Sequence, residues 1–289
     1  MIGQTFETLP VVIVHRDQPE RLARTVEAFR GQDVPVAITV VDNGSRSVPD
    51  IAGVEVIDTG ANLGFGPGAN VGFRRFLSAC AADTGEWVAL APHDALPQPG
   101  CLRRMLVAAS ERPRAGLVCA DFGDGATPVI DPYFGGILGP ATVEEGWEPA
   151  GHPHGTLLLA RRAMLEEIGL FDERYFAYCE EADLALRAKA AGWETGLVRG
   201  ALVENPNLHG ALGAVSYLQL RNTLLLVKEH SGRYHAFIRF QLALLQLLEG
   251  AVSPRRRDPY WHVQGKLLAL AHFARGRYGP PPNRLFGDN

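Results

Sequence analysis

Three carboxylates fall within four residues at Glu180-Glu181-Ala182-Asp183, directly after the aromatic segment Phe171-Asp172-Glu173-Arg174-Tyr175-Phe176-Ala177-Tyr178-Cys179. Solvated charge runs do not usually begin on an apolar wall. A carboxylate held against such a wall has its charged form disfavoured, so its pKa rises and it can act as a general base. The same acids also suit a helix N-terminus, where negative side chains oppose the dipole. Four other polar clusters carry chemistry of their own. Asp42-Asn43-Gly44-Ser45 is a turn signal, and a carboxylate at a strand's end can accept a hydrogen bond from a nucleobase N–H. Asn62-Leu63-Gly64-Phe65-Gly66-Pro67-Gly68-Ala69-Asn70 opens a helix with glycines that permit close backbone approach, at an end that attracts phosphate. It is neither a Walker A loop nor a GxGxxG fingerprint. His93-Asp94 follows an apolar strand; it is a cap ahead of Pro97 and Pro99, or a ligand for Mg²⁺ or Mn²⁺, which take carboxylate and diphosphate oxygens together. His209-Gly210, in a polar loop, is plain surface or an imidazole for a metal or phosphate.

The elements that must position these groups follow from periodicity. Short continuous apolar runs predict buried strands at 9–14, 37–41, 54–57, 87–91, 115–119 and 155–160, with short strands at 195–198 and 201–203. Helical spacing predicts helices at 19–30, 69–82, 99–110, 161–168 and 183–191, the last ending at Gly192. Strands alternating with helices specify an α/β fold with a mostly parallel sheet. Ligands of such sheets gather outside the carboxyl ends of the strands. The polar clusters at 42–45, 62–68 and 93–94 lie at those ends, so they are expected to share one crevice. Residues 121–153, rich in Gly, Pro and acids, predict an irregular or hairpin insertion. From about Val215 the pattern is helical almost to Gly279, and the Pro-rich tail 280–289 is expected to fray.

The 289 residues suffice for one large domain or two small ones. A net charge of -4 gives no footprint for nucleic acid. Cys80, Cys101, Cys119 and Cys179 are scattered without a CxxC pair, which indicates neither a zinc site nor a disulfide framework and fits reduced thiols in a cytoplasmic protein. No signal peptide or membrane-spanning run is legible. In the C-terminal part, Phe237, Phe240, Leu244, Leu245 and Leu248 form one apolar stripe, and Leu267, Leu268, Leu270, Ala271 and Phe273 a second. Such stripes cover a catalytic domain, form a homodimer face, or, with Arg255-Arg256-Arg257, meet the inner surface of a membrane.

Taken together and in order, the motifs resemble the family 2 inverting glycosyltransferases of GT-A fold, in the flavour of the bacterial rhamnosyltransferases. The likeness spans about residues 9–230 and rests on Asp42-Asn43-Gly44-Ser45, Asn62-Leu63-Gly64-Phe65-Gly66 with Asn70, Asp94, Pro99-Gly100, Gly169-Leu170-Phe171-Asp172-Glu173-Arg174-Tyr175-Phe176, Glu180-Glu181-Ala182-Asp183-Leu184 with Arg187, His209-Gly210, and Arg221-Asn222. It implies a GT-A catalytic domain over 1–214, with a donor half to about 120, and a helical segment over 215–289. It also implies polysaccharide biosynthesis as the setting, and transfer with inversion from a nucleoside-diphosphate sugar (dTDP, UDP or GDP) to a hydroxyl of a glycan, lipid-linked glycan or small molecule.

Carried over by position, Asp42 contacts the base, and Asn43, Asn62, Gly64, Gly66 and Asn70 line the nucleoside side. Asp94 binds a divalent cation and the diphosphate beside His93, with His209 as a second ligand. Glu181 is the catalytic base, flanked by Glu180 and Asp183. The chain departs from the pattern at three places. His15-Arg16-Asp17 replaces the opening motif, so that His15 and Arg16 become the donor-side residues there, Arg16 meeting phosphate or simply exposed. Pro92-His93-Asp94 keeps one acid of the usual pair, and Glu181 replaces aspartate at the base. The rival reading is a catalytically impaired nucleotide-sugar or glycan-binding module of the same fold. A pyrophosphorylase is disfavoured because residues 10–20 contain no Gly, and a dinucleotide oxidoreductase because no GxGxxG follows the first strand.

Overall fold

The computed structural model describes residues 6–80, 85–206 and 211–285. A nine-stranded sheet runs in the order β3-β2-β1-β4-β10-β6-β11-β5, with β9 paired to β11 at one side. Its parallel half is β1 (Leu9–His15), β2 (Val36–Asp42), β3 (Glu55–Asp58) and β4 (Trp87–Pro92). β10 (Leu158–Arg161) is antiparallel to both β4 and β6 (Ala115–Asp121), and β11 (Glu194–Glu204) is again parallel to β6. β5 (Leu96–Pro97) and β9 (Gly146–Pro149) are short antiparallel additions to β11.

The period of two in β1 divides the interior into two layers. Val11 and Ile13 join a cluster with Leu22, Val26 and Phe29 of α1 (Pro19–Arg30) and with Leu102 and Met105 of α3 (Cys101–Ser110). Val12 and Val14 point the other way, onto Phe73 and Phe76 of α2 (Phe65–Ser78), Met164 and Leu165 of α4 (Arg162–Ile168), and Leu184 and Ala185 of α5 (Glu180–Ala190). Gly72 lets α2 lie close on β1, since a Cβ there would overlap the Val12 side chain.

Several boundaries differ from the sequence expectation. α2 starts at Phe65 rather than Ala69: Pro67 sits in the first turn, where its missing N–H costs nothing, and Gly64 caps it at φ 98°. α5 starts at Glu180, so all three carboxylates occupy its first turn, as the helix-terminus reading of that cluster expects. The two short strands expected at 195–203 are one strand, β11, with an irregular register between Leu197 and Leu202. Residues 126–140 form the hairpin β7 (Ala126–Asp131) and β8 (Gly135–Pro140).

The C-terminal run is broken into α6 (Leu212–His230), α7 (Arg233–Val252) and α8 (Val263–Ala274), with 3₁₀ turns at Pro254–Arg256 and Asn283–Leu285. The 214/215 boundary therefore falls in the first turn of α6. Leu285 is buried against α6 and α8, so the tail is pinned at that point rather than frayed. Of the first expected stripe only Phe240 turns inward, to Phe273; Phe237, Leu244, Leu245 and Leu248 face solvent. No helix among the described residues is long and apolar enough to cross a membrane. Cys101 and Cys119 are buried free thiols, and Cys179 is a half-buried one.

Candidate active site

The register of the parallel strands sets the rim at which the donor is expected. His15 and Asp42 are paired at the ends of β1 and β2, and Val14 is paired with Pro92, which places His93-Asp94 at the same rim. The Asp42 carboxylate is buried and accepts from the Ser45 backbone N–H at 3.3 Å and from the Ser45 hydroxyl, which fixes the turn. Arg16 lies exposed over that turn, its Nε 3.5 Å from the Gly44 carbonyl. His15 and His93 meet edge to face at 5.2 Å. Burial first, then the neighbouring His93, lowers the His15 pKa to about 4; burial and Arg21 do the same for His93. Both rings are therefore neutral at physiological pH, and their contribution is hydrogen bonding rather than charge. The Asp94 carboxyl is raised by burial against the opposing effects of Arg21 and a hydrogen bond from Asn205.

The glycine loop connects this rim to the acidic helix. Asn43 donates from Nδ2 to the Gly64 carbonyl at 2.9 Å and accepts from the Leu63 N–H at 2.9 Å. Asn62 accepts from the Gly64 N–H at 3.1 Å. A Cβ on Gly64 would overlap Phe176, and one on Gly66 would stand 3.3 Å from Glu180 Cγ. Asn70 is committed to the protein: its amide exchanges hydrogen bonds with the Phe171 backbone at 2.9 and 3.0 Å and reaches Glu173 at 3.2 Å. Asn43 and Asn70 thus shape the glycine loop and its surroundings through the backbone they hold.

Glu180 and Glu181 sit where the loop and the sheet meet. Glu181 is half-buried and lies so close to Gly155, just ahead of β10, that a Cβ there would overlap its Oε1. Burial pushes its carboxyl up to about 7. Glu180 is fully buried with Oε2 unpartnered; burial and the adjacent Glu181 hold its pKa well above the carboxylate range. Near neutrality Glu180 therefore keeps its proton and Glu181 is part-ionised, so the more accessible Glu181 is the one that exchanges protons. Asp183 is different. Burial would raise it, but hydrogen bonding from His230 at 2.8 Å and the Arg187 ion pair at 2.8 Å hold it below its usual range. It anchors α5 and remains ionised.

The segment that delivers these acids is strained. Phe176, Tyr178 and Cys179 have φ of 68°, 68° and 72°, a left-handed conformation that non-glycine residues rarely adopt. Two adjacent buried side chains of α6 hold it. Asn222 Nδ2 faces the carbonyls of Tyr175, Ala177 and Tyr178 at 2.8, 2.7 and 2.8 Å, and Arg221 donates to Tyr175 at 3.2 Å. This clamp was not assigned a role from sequence. Its signal was there: an arginine and an asparagine interrupting the apolar run from Tyr217 to Val227. Asn205 and Gly155 had no such signal, because both act through tertiary contact.

The structure thus gathers Asp42, Asn43, Asn62, Gly64, Gly66, His15, His93, Asp94, Glu180 and Glu181 around one rim. His209 lies outside the described residues. No group of three His, Cys, Asp or Glu side chains able to hold a metal occurs among the described residues.

No family model matches the chain. Over 275 residues it is 31% identical to the N-acetylglucosaminyl-diphospho-decaprenol L-rhamnosyltransferase of Mycobacterium tuberculosis, covering 82% of this chain and 89% of the relative. Its fold is similar to GalNAc-T7 solved with UDP, GalNAc and Mn²⁺ (TM-score 0.63, 15% identity, 94% of this chain and 55% of that one). It is also similar to the mannosyltransferase PcManGT of Pyrobaculum calidifontis solved with GDP-Man and Mn²⁺ (TM-score 0.56, 17% identity, 91% and 85%). The chain belongs to the family 2 glycosyltransferases of GT-A fold, is rhamnosyltransferase-like, and is an enzyme that transfers sugar from a nucleotide-sugar donor.

Proposed function

We propose that the protein transfers L-rhamnose, with inversion, from a thymidine-diphosphate donor to a hydroxyl of N-acetylglucosamine on a diphosphate-linked polyprenol. The curated relative's name motivates the sugar and the acceptor. The observation that carries the mechanism is the Glu180–Glu181 pair, a half-buried carboxyl poised near neutrality beside a buried one that keeps its proton. Glu181 takes the proton of the acceptor hydroxyl as that oxygen attacks the anomeric carbon from the face opposite the leaving diphosphate. Asp42 accepts from the base, and the glycine loop brings its backbone against the nucleoside.

Asp94 fits a divalent cation, because it is a half-buried carboxylate with one amide partner whose raised pKa a cation would reverse. With diphosphate oxygens completing its coordination, the cation would neutralise charge on the departing nucleoside diphosphate. The exposed stripe of α7, followed by Arg255-Arg256-Arg257, suits contact with the anionic surface in which a polyprenol acceptor resides, a point that liposome flotation tests.

Glu181→Gln is the decisive variant. It should retain donor binding, read as a thermal shift by dTDP, and lose transfer. Transfer at the native rate would show that the base lies elsewhere.

A further inference from the structure

A cavity of about 280 Å³ lies between α6, α7 and α8. It is lined by three cations, Arg239, Arg256 and Lys266, against one carboxylate, Asp258. Lys266 is paired with Asp258 at 2.7 Å and Arg256 with Glu249 at 3.0 Å. Arg239 makes no ion pair among the described residues; its guanidinium reaches the neutral Gln246 amide at 3.3 Å and rests on the Phe134 ring at 5.1 Å. Its Nε is buried without a partner, and so is the Ser216 hydroxyl, on a residue only 2% exposed. Buried donors without acceptors are rare and costly. Here they share a cavity with excess positive charge, which is the donor set that phosphate oxygens satisfy.

The position of the cavity relates it to the reaction. Thr223, in its wall, has Oγ1 3.8 Å from Cys179 Sγ, and Cys179 immediately precedes Glu180. The Tyr178 phenol is held up by burial and lies within electrostatic reach of Glu180 and Glu181, and also of Tyr260, which lines the cavity. One wall of the cavity therefore touches the segment that delivers Glu180 and Glu181.

We propose that this cavity is the acceptor subsite, taking the diphosphate ester that links the acceptor sugar to its lipid, with Arg239 and Lys266 as its principal donors. The inference rests on the lipid-linked acceptor proposed above. Headgroup phosphates of a bilayer offer the same chemistry, so the test separates the two sources.

Arg239→Gln and Lys266→Gln, on different helices, are compared with the parent protein using two soluble acceptors. One is N-acetylglucosaminyl diphosphate carrying a farnesyl tail; the other is the farnesyl glycoside without the diphosphate. Both variants should raise KM for the diphosphate acceptor about tenfold or more, the scale of losing a charged hydrogen bond. KM for the neutral glycoside and for the donor should stay within about twofold of the parent, because neither ligand places a diphosphate in the cavity for these side chains to hold. Inorganic pyrophosphate, titrated with dTDP saturating the donor side, should bind the parent and not the variants. An equal rise for both acceptors, an unchanged KM for the diphosphate acceptor, or unchanged pyrophosphate binding would overturn the proposal. Loss of binding to phosphatidylglycerol vesicles with KM for the soluble diphosphate acceptor intact would assign the cavity to headgroups instead. If neither acceptor is used, the acceptor reading fails by itself, and pyrophosphate binding alone decides the cavity.

Discussion

Replacing Glu181 by glutamine should make the protein more stable above neutrality while removing its activity. The Glu181 carboxyl is raised from 4.5 to about 7, chiefly by burial. Between those values the native state holds a proton that the unfolded chain has released, so folding stability falls as pH rises through the window. At about 1.4 kcal/mol per unit, the loss is roughly 3 kcal/mol by about pH 8, an upper figure because the side chain is partly open to solvent. Glutamine cannot ionise and escapes that loss. It also relieves Glu180, whose own pKa is held up in part by its neighbour's charge. Urea denaturation of both proteins at about pH 5 and about pH 8 measures the effect: the variant's advantage should be small at the lower pH and about 2–3 kcal/mol at the higher. In the parent, kcat/KM should rise with pH and level off above about 7, as Glu181 sheds its proton. A variant that is less stable than the parent at about pH 8, or a flat pH–rate profile across neutrality, would refute the assignment of a desolvated base.

Three other perturbations follow from the same contacts. Asn222→Ala removes the amide facing three carbonyls of the strained segment and should cost about 2–5 kcal/mol in denaturant melts, with kcat falling about a hundredfold as the base shifts. Gly64→Ala forces a side chain onto a residue at φ 98° and into Phe176; a loss above about 2 kcal/mol and a raised donor KM are expected from melts and kinetics. Glu148→Gln breaks the buried Glu148–Arg199 pair at 2.6 Å, leaving Asp121 at 3.0 Å as the one anionic partner of Arg199 among the described residues, and should cost about 3 kcal/mol in urea with donor KM unchanged.

The parallel half of the sheet was legible because its strands are buried on both faces and read as unbroken apolar runs: 9–14, 37–41 and 87–91 all correspond to strands, and α1 has the bounds its pattern predicts. The rim followed from the same logic, since the polar residues that end each run must emerge on one side. Errors arose where tertiary contact overrides local pattern. The helix expected from Ala69 begins at Phe65 because the Gly64 backbone packs on Phe176, more than a hundred residues away. The stripe on α7 has the period of a covered face, yet four of its five residues remain exposed. Periodicity specifies that a helix has an apolar side, not what covers it. The pairing of Asp183 with His230 and of Asp94 with Asn205 joins residues with no local signature at all.

The acidic motif gains its chemistry from a conflict that the fold maintains. Two adjacent glutamates in a helix's first turn would, in water, both be ionised and modestly stabilising. Here Cys179, at φ 72°, starts α5 from a left-handed residue, which turns Glu180 into the protein and sets Glu181 against Gly155. That geometry disfavours both charges, and three left-handed residues add roughly 3–6 kcal/mol of strain. Neither cost is offset locally. Asn222 and Arg221 supply the opposing hydrogen bonds from α6, and α6 is held in turn by α8 and Leu285. The proposed mechanism therefore draws on the C-terminal helices, since a chain cut at residue 214 would lose the clamp and with it the burial that raises the Glu181 pKa. Such a truncation should either fail to fold or bind nucleoside diphosphate without transferring sugar. Native transfer by the truncated chain would show that the strained segment holds itself.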